Sequence, residues 1–219
     1  MHRTKIDWPG LDYAWNPIIG CKRNCKKETH GFDCYAKKLN QRFHWIKDWT
    51  KPEFFPEKLN LPHEEKKSAT WFVGSLTDIR YWSFGWMDKV ISVCEECKWH
   101  KFMFLTKSPD VYNMFTFPLN CWLGLTITSD NDVDKFNNFI NMHDRGNHTF
   151  LSIEPLLGPV NLPLNETTIE LVIVGADTSK NPLVPKQEWI DSIKHDNIHF
   201  KENIHKYLNE ETKNERDRS

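Results

Sequence analysis

The feature that most constrains this chain is a series of short segments that are apolar at nearly every position. A strand that alternates apolar and polar residues exposes one face to solvent, whereas a continuously apolar strand is buried on both faces. Such strands are typical of a parallel sheet covered by helices. The segments are residues 71–75, 102–106, 121–126, 150–153 and 171–175, with a weaker one at 198–201.

Amphipathic segments occupy most of the stretches between these runs and predict helices. The first places Tyr35, Leu39 and Phe43 at four-residue spacing, with basic residues on its other faces. Strand and helix alternate from residue 71 onward, which predicts an α/β fold. The βα units number about six, which suits either an open doubly wound sheet or a partial barrel. The predicted helices are residues 34–47, 86–100, 132–143 and 186–194.

Length, charge and hydropathy exclude several classes of protein. The 219 residues carry a net charge of −1, so no global basic field points to nucleic acid. No apolar run approaches the roughly 18 residues of a transmembrane helix, and the first residues lack the apolar stretch of a secretory signal. We expect a cytoplasmic protein with no membrane partner. Residues 1–205 are expected to form one domain, and residues 206–219 a charged tail.

Polar residues follow the predicted strands at the points where the strands end. Because parallel strands end on one edge of a sheet, these side chains are expected to converge on one rim, where α/β enzymes bind their substrates. The alternative is that they are ordinary loop starts and helix caps. Glu154 and Lys201 stand out, because their charges directly follow apolar runs. The full set is Ser75, Thr77, Asp78, Thr106, Lys107, Thr126, Thr128, Glu154, Asp177, Lys201 and Glu202.

Three cysteines lie close together near the N-terminus. Cys21, Cys25 and Cys34 fall within fourteen residues, and in an intracellular chain such spacing indicates one metal site. Thiolates favour zinc or an iron–sulfur cluster. A cluster on three protein thiolates leaves one iron open for another ligand. His30, inside the same loop, would instead complete a closed zinc site with three cysteines and one histidine.

The remaining cysteines are expected in the core. Cys94 and Cys97 share one face of a predicted helix, and Cys121 begins an apolar run.

A basic segment and the many tryptophans are candidates for a binding surface. Residues 20–47 hold eight Lys and Arg against two Asp and Glu, a local net charge of +6. This charge suits an anionic ligand or a thiolate-rich cluster, or it is a solvated helix face. The tryptophans are core or interface residues by default, and a base-stacking platform is the alternative for some of them. The candidates are Trp8, Trp15, Trp45, Trp49, Trp82, Trp86 and Trp99.

Several blocks together resemble a phage- and bacteria-encoded family of unknown function that is related to radical S-adenosylmethionine proteins. The resemblance spans roughly residues 4–204, and its longest block is Phe-Leu-Ser-Ile-Glu-Pro-Leu-Leu-Gly-Pro. The matching blocks are residues 7–8, 15–21, 34–36, 72–78, 104–107, 122–126, 150–159 and 172–177, and residues 188–189 and 200–201 continue the match.

This resemblance implies a partial (β/α)₆ barrel of the TIM type. It also implies a [4Fe–4S] cluster on Cys21, Cys25 and Cys34, with S-adenosylmethionine on the open iron and an external reductant. Reductive cleavage would give a 5′-deoxyadenosyl radical that attacks a substrate of unknown identity, with nucleic acid as one candidate. The implied cofactor-binding residues are Gly74, Ser75, Thr126, Glu154, Gly175 and Asp177, and the implied catalytic residues are Glu154 and Lys201.

The sequence departs from the usual radical motif at two points. The second gap between cysteines is eight residues, where two are usual, and Gly175-Ala176-Asp177 stands where Gly-Gly-Glu is more frequent. Two other interpretations therefore stay open. One is a zinc-binding phage module without catalysis that acts on nucleic acid or a host protein. The other is a barrel that binds a nucleotide without radical chemistry.

Overall fold

Parallel strands form the framework of the chain. The computed structural model describes residues 2–140 and 146–209. In these residues the main sheet consists of β1 (Tyr13–Trp15), β4 (Thr70–Val73), β5 (Lys101–Thr106), β6 (Cys121–Ile127), β7 (Thr149–Ile153), β8 (Ile169–Val174) and β9 (Ile198–Phe200). A small antiparallel pair, β2 (Ile18–Ile19) and β3 (Glu53–Phe54), lies outside that sheet.

The α-helices of the described residues differ widely in length. The longest is α4 (Phe84–Glu96), and the others are α1 (Lys27–His30), α2 (Tyr35–Phe43), α3 (Leu61–Glu64), α5 (Val133–Ile140) and α6 (Gln187–Ser192). Short 3-10 turns supplement them at Pro56–Lys58, Ile79–Tyr81, Pro109–Met114, Asp130–Asp132, Leu164–Glu166 and Glu202–Tyr207. Within this part of the chain no helix combines the length and apolar character needed to cross a bilayer.

The order of the strands decides between the two predicted architectures. The sheet runs β1-β4-β5-β6-β7-β8-β9, and every neighbouring pair is parallel. A doubly wound sheet reverses its strand order once, whereas this order follows the chain without reversal. All crossovers therefore have one hand and one direction, and the sheet curls into a half-barrel. The predicted α/β class with a parallel sheet is confirmed.

The outer face of the sheet packs against the helices. Phe102, Phe104 and Leu125 of the strands share a core with Met87 and Phe136 of the helices, and all five are almost fully buried. Successive strand residues point to opposite faces, which is why the apolar runs are continuous: one set of residues meets the helices and the other lines the inside of the curl. Cys94, Cys97 and Cys121 are fully buried in the outer core, so their prediction as core residues is confirmed.

The inner face is covered by residues near the N-terminus. Trp8 stacks on Phe72 with ring centroids 4.3 Å apart and meets the edge of Phe150 at 5.5 Å. The same inner cluster contains Met103 and Ile173. A half-barrel has no further strands opposite its inner face, so the Trp8 indole ring and its neighbours bury this surface.

Polar contacts tie the N-terminal segment to both sides of the curl. Asp12 accepts a hydrogen bond from the Thr70 N–H at 3.0 Å, next to the first strand. On the far side, the Asp7 carboxylate contacts His199 Nε2 at 2.9 Å and accepts from the Glu202 N–H at 2.5 Å. Residues 4–12 therefore form a strap across the open half-barrel.

Several sequence predictions need correction. The strand Tyr13–Trp15 joins the sheet although no strand was predicted there, because three residues carry too little pattern. The apolar stripe of α2 does not face the core: this helix buries Ala36 and Asn40, while Tyr35 and Phe43 are half exposed.

The predicted ends of the helices also shift. Helices α2 and α4 each stop four residues before their predicted ends, and α6 stops two residues before its predicted end. The predicted continuation of α5 at 141–143 lies outside the described residues. Leu208 is buried, so packing extends past residue 205. The rest of the predicted tail, 210–219, lies outside the described residues.

The inner face should not tolerate a side chain at Gly124. A Cβ there would lie 2.3 Å from Phe150 Cζ, and Phe150 is held by Trp8. We expect Gly124→Ala to lower the free energy of unfolding by about 1–3 kcal/mol through overpacking, as measured by chemical denaturation. The control is Gly85→Ala, because Gly85 is helical and a Cβ there meets nothing within 4 Å; we expect it to be neutral or to stabilise by up to about 1 kcal/mol. Equal effects would contradict this account of the inner face.

The strap should weaken in acid. Burial alone would raise the pKa of Asp7, but the Glu202 N–H and the His199 ring together hold this pKa below its ordinary value of 3.8. The charged form is thus favoured by folding, so its contribution is present above pH 3.8 and is lost as pH falls through the lower folded pKa. Asp7→Asn should cost less than about 1 kcal/mol at neutral pH, because the carboxylate is partly exposed, and the cost should diminish as pH falls below 3.8 and through the lower folded pKa.

The control for Asp7→Asn is Asp88→Asn, an exposed carboxylate on α4. Stability is measured by denaturation across the acid range for both variants. A deficit of Asp7→Asn that persists at low pH would contradict the electrostatic origin of the effect.

Candidate functional site

A cavity opens at the carboxyl ends of the strands. Its volume is about 460 Å³, within the roughly 300–1,000 Å³ of small-molecule sites. Residues that follow β4, β5, β7, β8 and β9 line it together with Thr126 near the end of β6. The predicted convergence of strand-end residues on one rim is thus observed for Ser75, Thr77, Asp78, Thr106, Lys107, Thr126, Glu154, Asp177, Lys201 and Glu202.

The three clustered cysteines line the same cavity. Cys21, Cys25 and Cys34 all belong to its wall, and all three are free thiols. Gly20 fixes where the loop begins: its φ is +104°, and a Cβ there would lie 2.7 Å from Ile46 Cδ1. At the other end of the loop Cys34 caps α2, with its Sγ accepting from the Lys37 N–H at 3.4 Å. The loop therefore crosses the mouth of the half-barrel between two fixed points.

Burial and neighbouring charges set the state of the thiols. Burial raises the pKa of Cys21 to about 12, and Asp78 adds to the rise, while the N–H groups of Arg23 and Asn24 act in the opposite direction. Burial also raises the pKa of Cys25, which Lys107 and Arg23 partly oppose. Two cations and two backbone donors therefore favour the thiolate form of these sulfurs, against the larger opposing effect of burial.

The candidate metal ligands do not all lie in the cavity wall, and they do not form a site for a single metal ion. Among residues 2–140 and 146–209, no three His, Cys, Asp or Glu side chains are arranged around one point as a single metal ion requires. His30 does not line the cavity; its Nδ1 lies 2.6 Å from Thr29 Oγ1. A four-iron cluster does not need its ligands to meet at one point, because each thiolate binds a different iron.

Asp78 is the polar centre of the wall beneath the cysteines. Its carboxylate accepts from Thr106 Oγ1 at 2.6 Å and from the Lys107 N–H at 3.2 Å. It also lies 3.5 Å from Nε of Arg23, whose guanidinium hydrogen-bonds Ser108. Asp78 thus connects the ends of two strands to the cysteine loop through an ion pair that is largely buried.

A second polar contact positions the segment after β4. Gly74 has a φ of +77°, which turns the chain into the cavity. Asn16 then holds the turn: its Oδ1 accepts from the Leu76 N–H at 2.9 Å, and its Nδ2 donates to Ser75 Oγ at 3.0 Å. The hydroxyl of Tyr35 donates to the Ser75 carbonyl. Helix α2, which starts at the cysteine loop, is thereby joined to the strand end.

Glu154 and Lys201 form an ion pair in the cavity wall. Lys201 Nζ lies 2.5 Å from Glu154 Oε1, and the lysine and glutamate side chains are 13% and 26% exposed. Gly175 does not line the cavity but lies directly behind the pair, since a Cβ there would be 2.9 Å from Glu154 Oε1. Because Gly175 has no side chain, the Glu154 carboxylate can occupy this position.

The other predicted cofactor-binding residues differ in whether their polar side-chain atoms already have hydrogen-bond partners. Thr126 is 3% exposed, and its Oγ1 is buried with no hydrogen-bond partner in the described structure. Trp8 Nε1 is in the same situation. Asp177, in contrast, is occupied by its own loop, since its carboxylate accepts from the Ser179 N–H and hydroxyl and from the Leu183 N–H. Thr126 and Trp8 therefore carry buried wall atoms without a hydrogen-bond partner, as do Arg23 at Nε and Trp49 at Nε1.

Sequence reasoning did not select several residues that shape the site. Asn16 stood only in a matching block, and Trp8 stood in another and among the tryptophans considered for base stacking. Arg23 was counted only as part of the basic segment, and Asp78 was one of many strand-end residues. A buried Asp beside a buried Arg is a recognisable pair only once the fold brings residues 23 and 78 together.

Fold and site together define an α/β half-barrel with a thiol-lined ligand cavity at its mouth. The chain belongs to the family described as "Protein of unknown function (DUF5131)", whose model matches residues 3–207. The match covers all the strands and every residue of the cavity wall. No curated protein and no solved structure matches the chain.

Removing the Asp78 carboxylate should destabilise the whole rim. Asp78→Ala leaves the Arg23 guanidinium largely buried without its counter-charge, so we expect a loss of about 3 kcal/mol or more. The control is Asp110→Ala, which breaks the exposed pair with Arg80, 3.2 Å apart and with the Asp110 side chain 61% exposed. That loss should stay below about 1 kcal/mol. Denaturation curves measure both losses, and equal losses would mean that Asp78 is not the centre of this network.

Proposed function

We propose that this protein is an iron–sulfur enzyme of the radical S-adenosylmethionine type. The observation that carries the proposal is that three free cysteines of one loop and the polar ends of six neighbouring strands line one cavity. A three-thiolate cluster leaves one iron open, and that iron must face the substrate side of the barrel. The resemblance of the sequence blocks to radical S-adenosylmethionine proteins supports the same assignment.

The residues present fit such a cofactor pair. Cys21, Cys25 and Cys34 would hold the cluster, and the cations of Arg23 and Lys107 would balance part of its negative charge. Thr126 Oγ1 and Trp8 Nε1 are buried wall atoms without partners, and a polar ligand would satisfy them at no desolvation cost to the protein. When bound, the cluster and S-adenosylmethionine supply a carbon radical that takes a hydrogen atom from the substrate.

The chain's own contribution is binding, orientation and exclusion of water. Gly74 and Ser75 present backbone and hydroxyl groups at the end of β4, on a turn that Asn16 holds. Glu154 and Lys201 offer a carboxylate and an ammonium group to ribose, carboxylate or substrate groups, and Gly175 sets their position. Asp177 acts indirectly, by fixing the loop from Asp177 to Leu183. The substrate is a macromolecule that covers the open side, with nucleic acid as the first candidate.

Metal content gives the first test. Anaerobic purification and reconstitution with iron and sulfide should load about four irons per chain and give a brown protein with broad absorption. Cys21→Ala, Cys25→Ala and Cys34→Ala should each lose most of the iron, because each removes one ligand. Cys97→Ala is the matched control, since Cys97 is a buried thiol of the outer core, and it should load iron as the wild type does.

The same preparation supports a second measurement. With a reductant and S-adenosylmethionine, the loaded protein should release 5′-deoxyadenosine, detected by mass spectrometry. Glu154→Gln and Lys201→Met should keep their iron but release less product, because they alter the cavity and not the ligands. A colourless protein that binds one zinc would overturn the proposal, and binding of S-adenosylmethionine without cleavage would reduce it to a nucleotide-binding barrel.

A further inference from the structure

We propose that the turn at the end of α2 is a stacking platform for single-stranded nucleic acid, and that a strand bound there leads into the cavity. The platform is defined as Arg42, Phe43 and Trp45. The inference rests on the proposed function for its last step, since the strand would be the substrate of that enzyme. Binding itself requires neither cluster nor S-adenosylmethionine.

The platform exposes aromatic surface that the fold does not use. Phe43 is 51% and Trp45 38% exposed, and their rings stack with centroids 5.1 Å apart and an angle of 21°. The Arg42 guanidinium lies 5.2 Å from the centre of the Phe43 ring. Among the tryptophans considered for base stacking, Trp8, Trp15, Trp49 and Trp82 are buried in the protein. Trp45 and Trp99 are both exposed, at 38% and 42%, and of the two it is Trp45 that lies in the basic segment 20–47.

The turn is held rigidly, although it is on the surface. His44 ends the helix in the left-handed region, with a φ of 53°. The buried side chain of Asn40 then bonds both main-chain groups of Ile46, accepting from its N–H and donating to its carbonyl, each at 3.0 Å. The main chain is therefore fixed on both sides of Trp45, by the helix end and by Ile46. The Phe43 and Trp45 rings thus lose little conformational freedom when a base stacks on them, which favours binding.

Charge around the platform is strongly positive and concentrated. Residues 20–47 carry a net charge of +6, so the rest of a chain with net charge −1 carries −7. Within the described part of the chain, only Arg23 and Lys38 of the eight basic residues form ion pairs. The other six form no ion pair there, although Lys27 and Lys37 donate to the Asn181 carbonyl and to Asn24 Oδ1. Cations without a carboxylate partner can bind phosphates, which supply most of the affinity for any nucleic acid.

The position of the platform connects it to the cavity. Cys34 and Tyr35 at the start of α2 line the cavity, and Phe43 is the last residue of this nine-residue helix. The helix rises about 1.5 Å per residue, so the platform is about 13 Å away, or roughly four nucleotides of a stacked strand. Side chains can stack on bases only where bases are unpaired, so the aromatic pair favours a single strand over a duplex.

Fluorescence anisotropy with a labelled oligonucleotide tests the proposal on the full chain. Single-stranded DNA and RNA of one mixed sequence, roughly 12 nucleotides long, are compared with the corresponding duplex. We expect a single strand to bind more tightly than the duplex, and affinity to fall steeply between about 50 and 200 mM salt. The affinities for the two single strands, compared with each other, show whether the platform prefers DNA or RNA.

Variants separate stacking from charge. The double variant Phe43→Ala with Trp45→Ala should weaken single-strand binding by about tenfold or more, since stacking contributes strongly per base. Trp45→Phe keeps an aromatic ring and should retain most of the binding. Phe84→Ala is the matched control, because Phe84 is 59% exposed and lies against Phe115 at 5.1 Å, on another helix. Its affinity should stay within about twofold of the wild type.

The outcomes are distinguishable from those of the proposed function. Wild-type affinity in the double variant would overturn the platform, as would tighter binding of the duplex than of the single strands, or binding of none of these polymers. Each of these results would leave iron loading and 5′-deoxyadenosine release untouched. Conversely, a protein that binds single strands through Phe43 and Trp45 but releases no 5′-deoxyadenosine would keep the platform and lose the radical chemistry.

Discussion

The packing of Trp8 on the inner face of the sheet is the contact on which the rest of the structure depends. A closed barrel buries its inner face against itself, but a half-barrel leaves that face and two sheet edges open. Trp8 covers the inner face through Phe72 and Phe150, and Asp7 connects the strap to β9 and the segment after it. The strap also closes one side of the cavity, because Ile6, Asp7 and Trp8 line it.

The site is built from polar groups that are buried only because they satisfy one another. Asp78, Arg23 and Thr106 form one such group, and Glu154 with Lys201 forms another. Unpaired, any of these charges would cost several kcal/mol to bury. Their pairing holds two parts of the cavity wall in place, and the first group connects that wall to the cysteine loop through Arg23.

Helix α2 connects the chemistry of the cavity to the surface of the protein. One end carries Cys34 and Tyr35, and the other carries the platform. The helix buries little besides Ala36 and Asn40, so its aromatic residues are not needed for the core. The exposed aromatic and basic residues of α2 therefore serve the platform proposed above and not the packing of the fold.

The sequence by itself determined the parallel α/β class, the burial of Cys94, Cys97 and Cys121, and the meeting of strand-end residues such as Ser75, Glu154 and Lys201 on one rim. These follow from local patterns, since continuous apolar runs specify buried strands and parallel strands must end on the same edge. Only the tertiary structure decided that the sheet is a half-barrel, that Tyr13–Trp15 joins it, and that Tyr35 lines the cavity while Phe43 faces solvent. It also decided the contact between Asp7 and His199, 192 residues apart. Such features depend on which distant segments cover a surface, and no local periodicity encodes that choice.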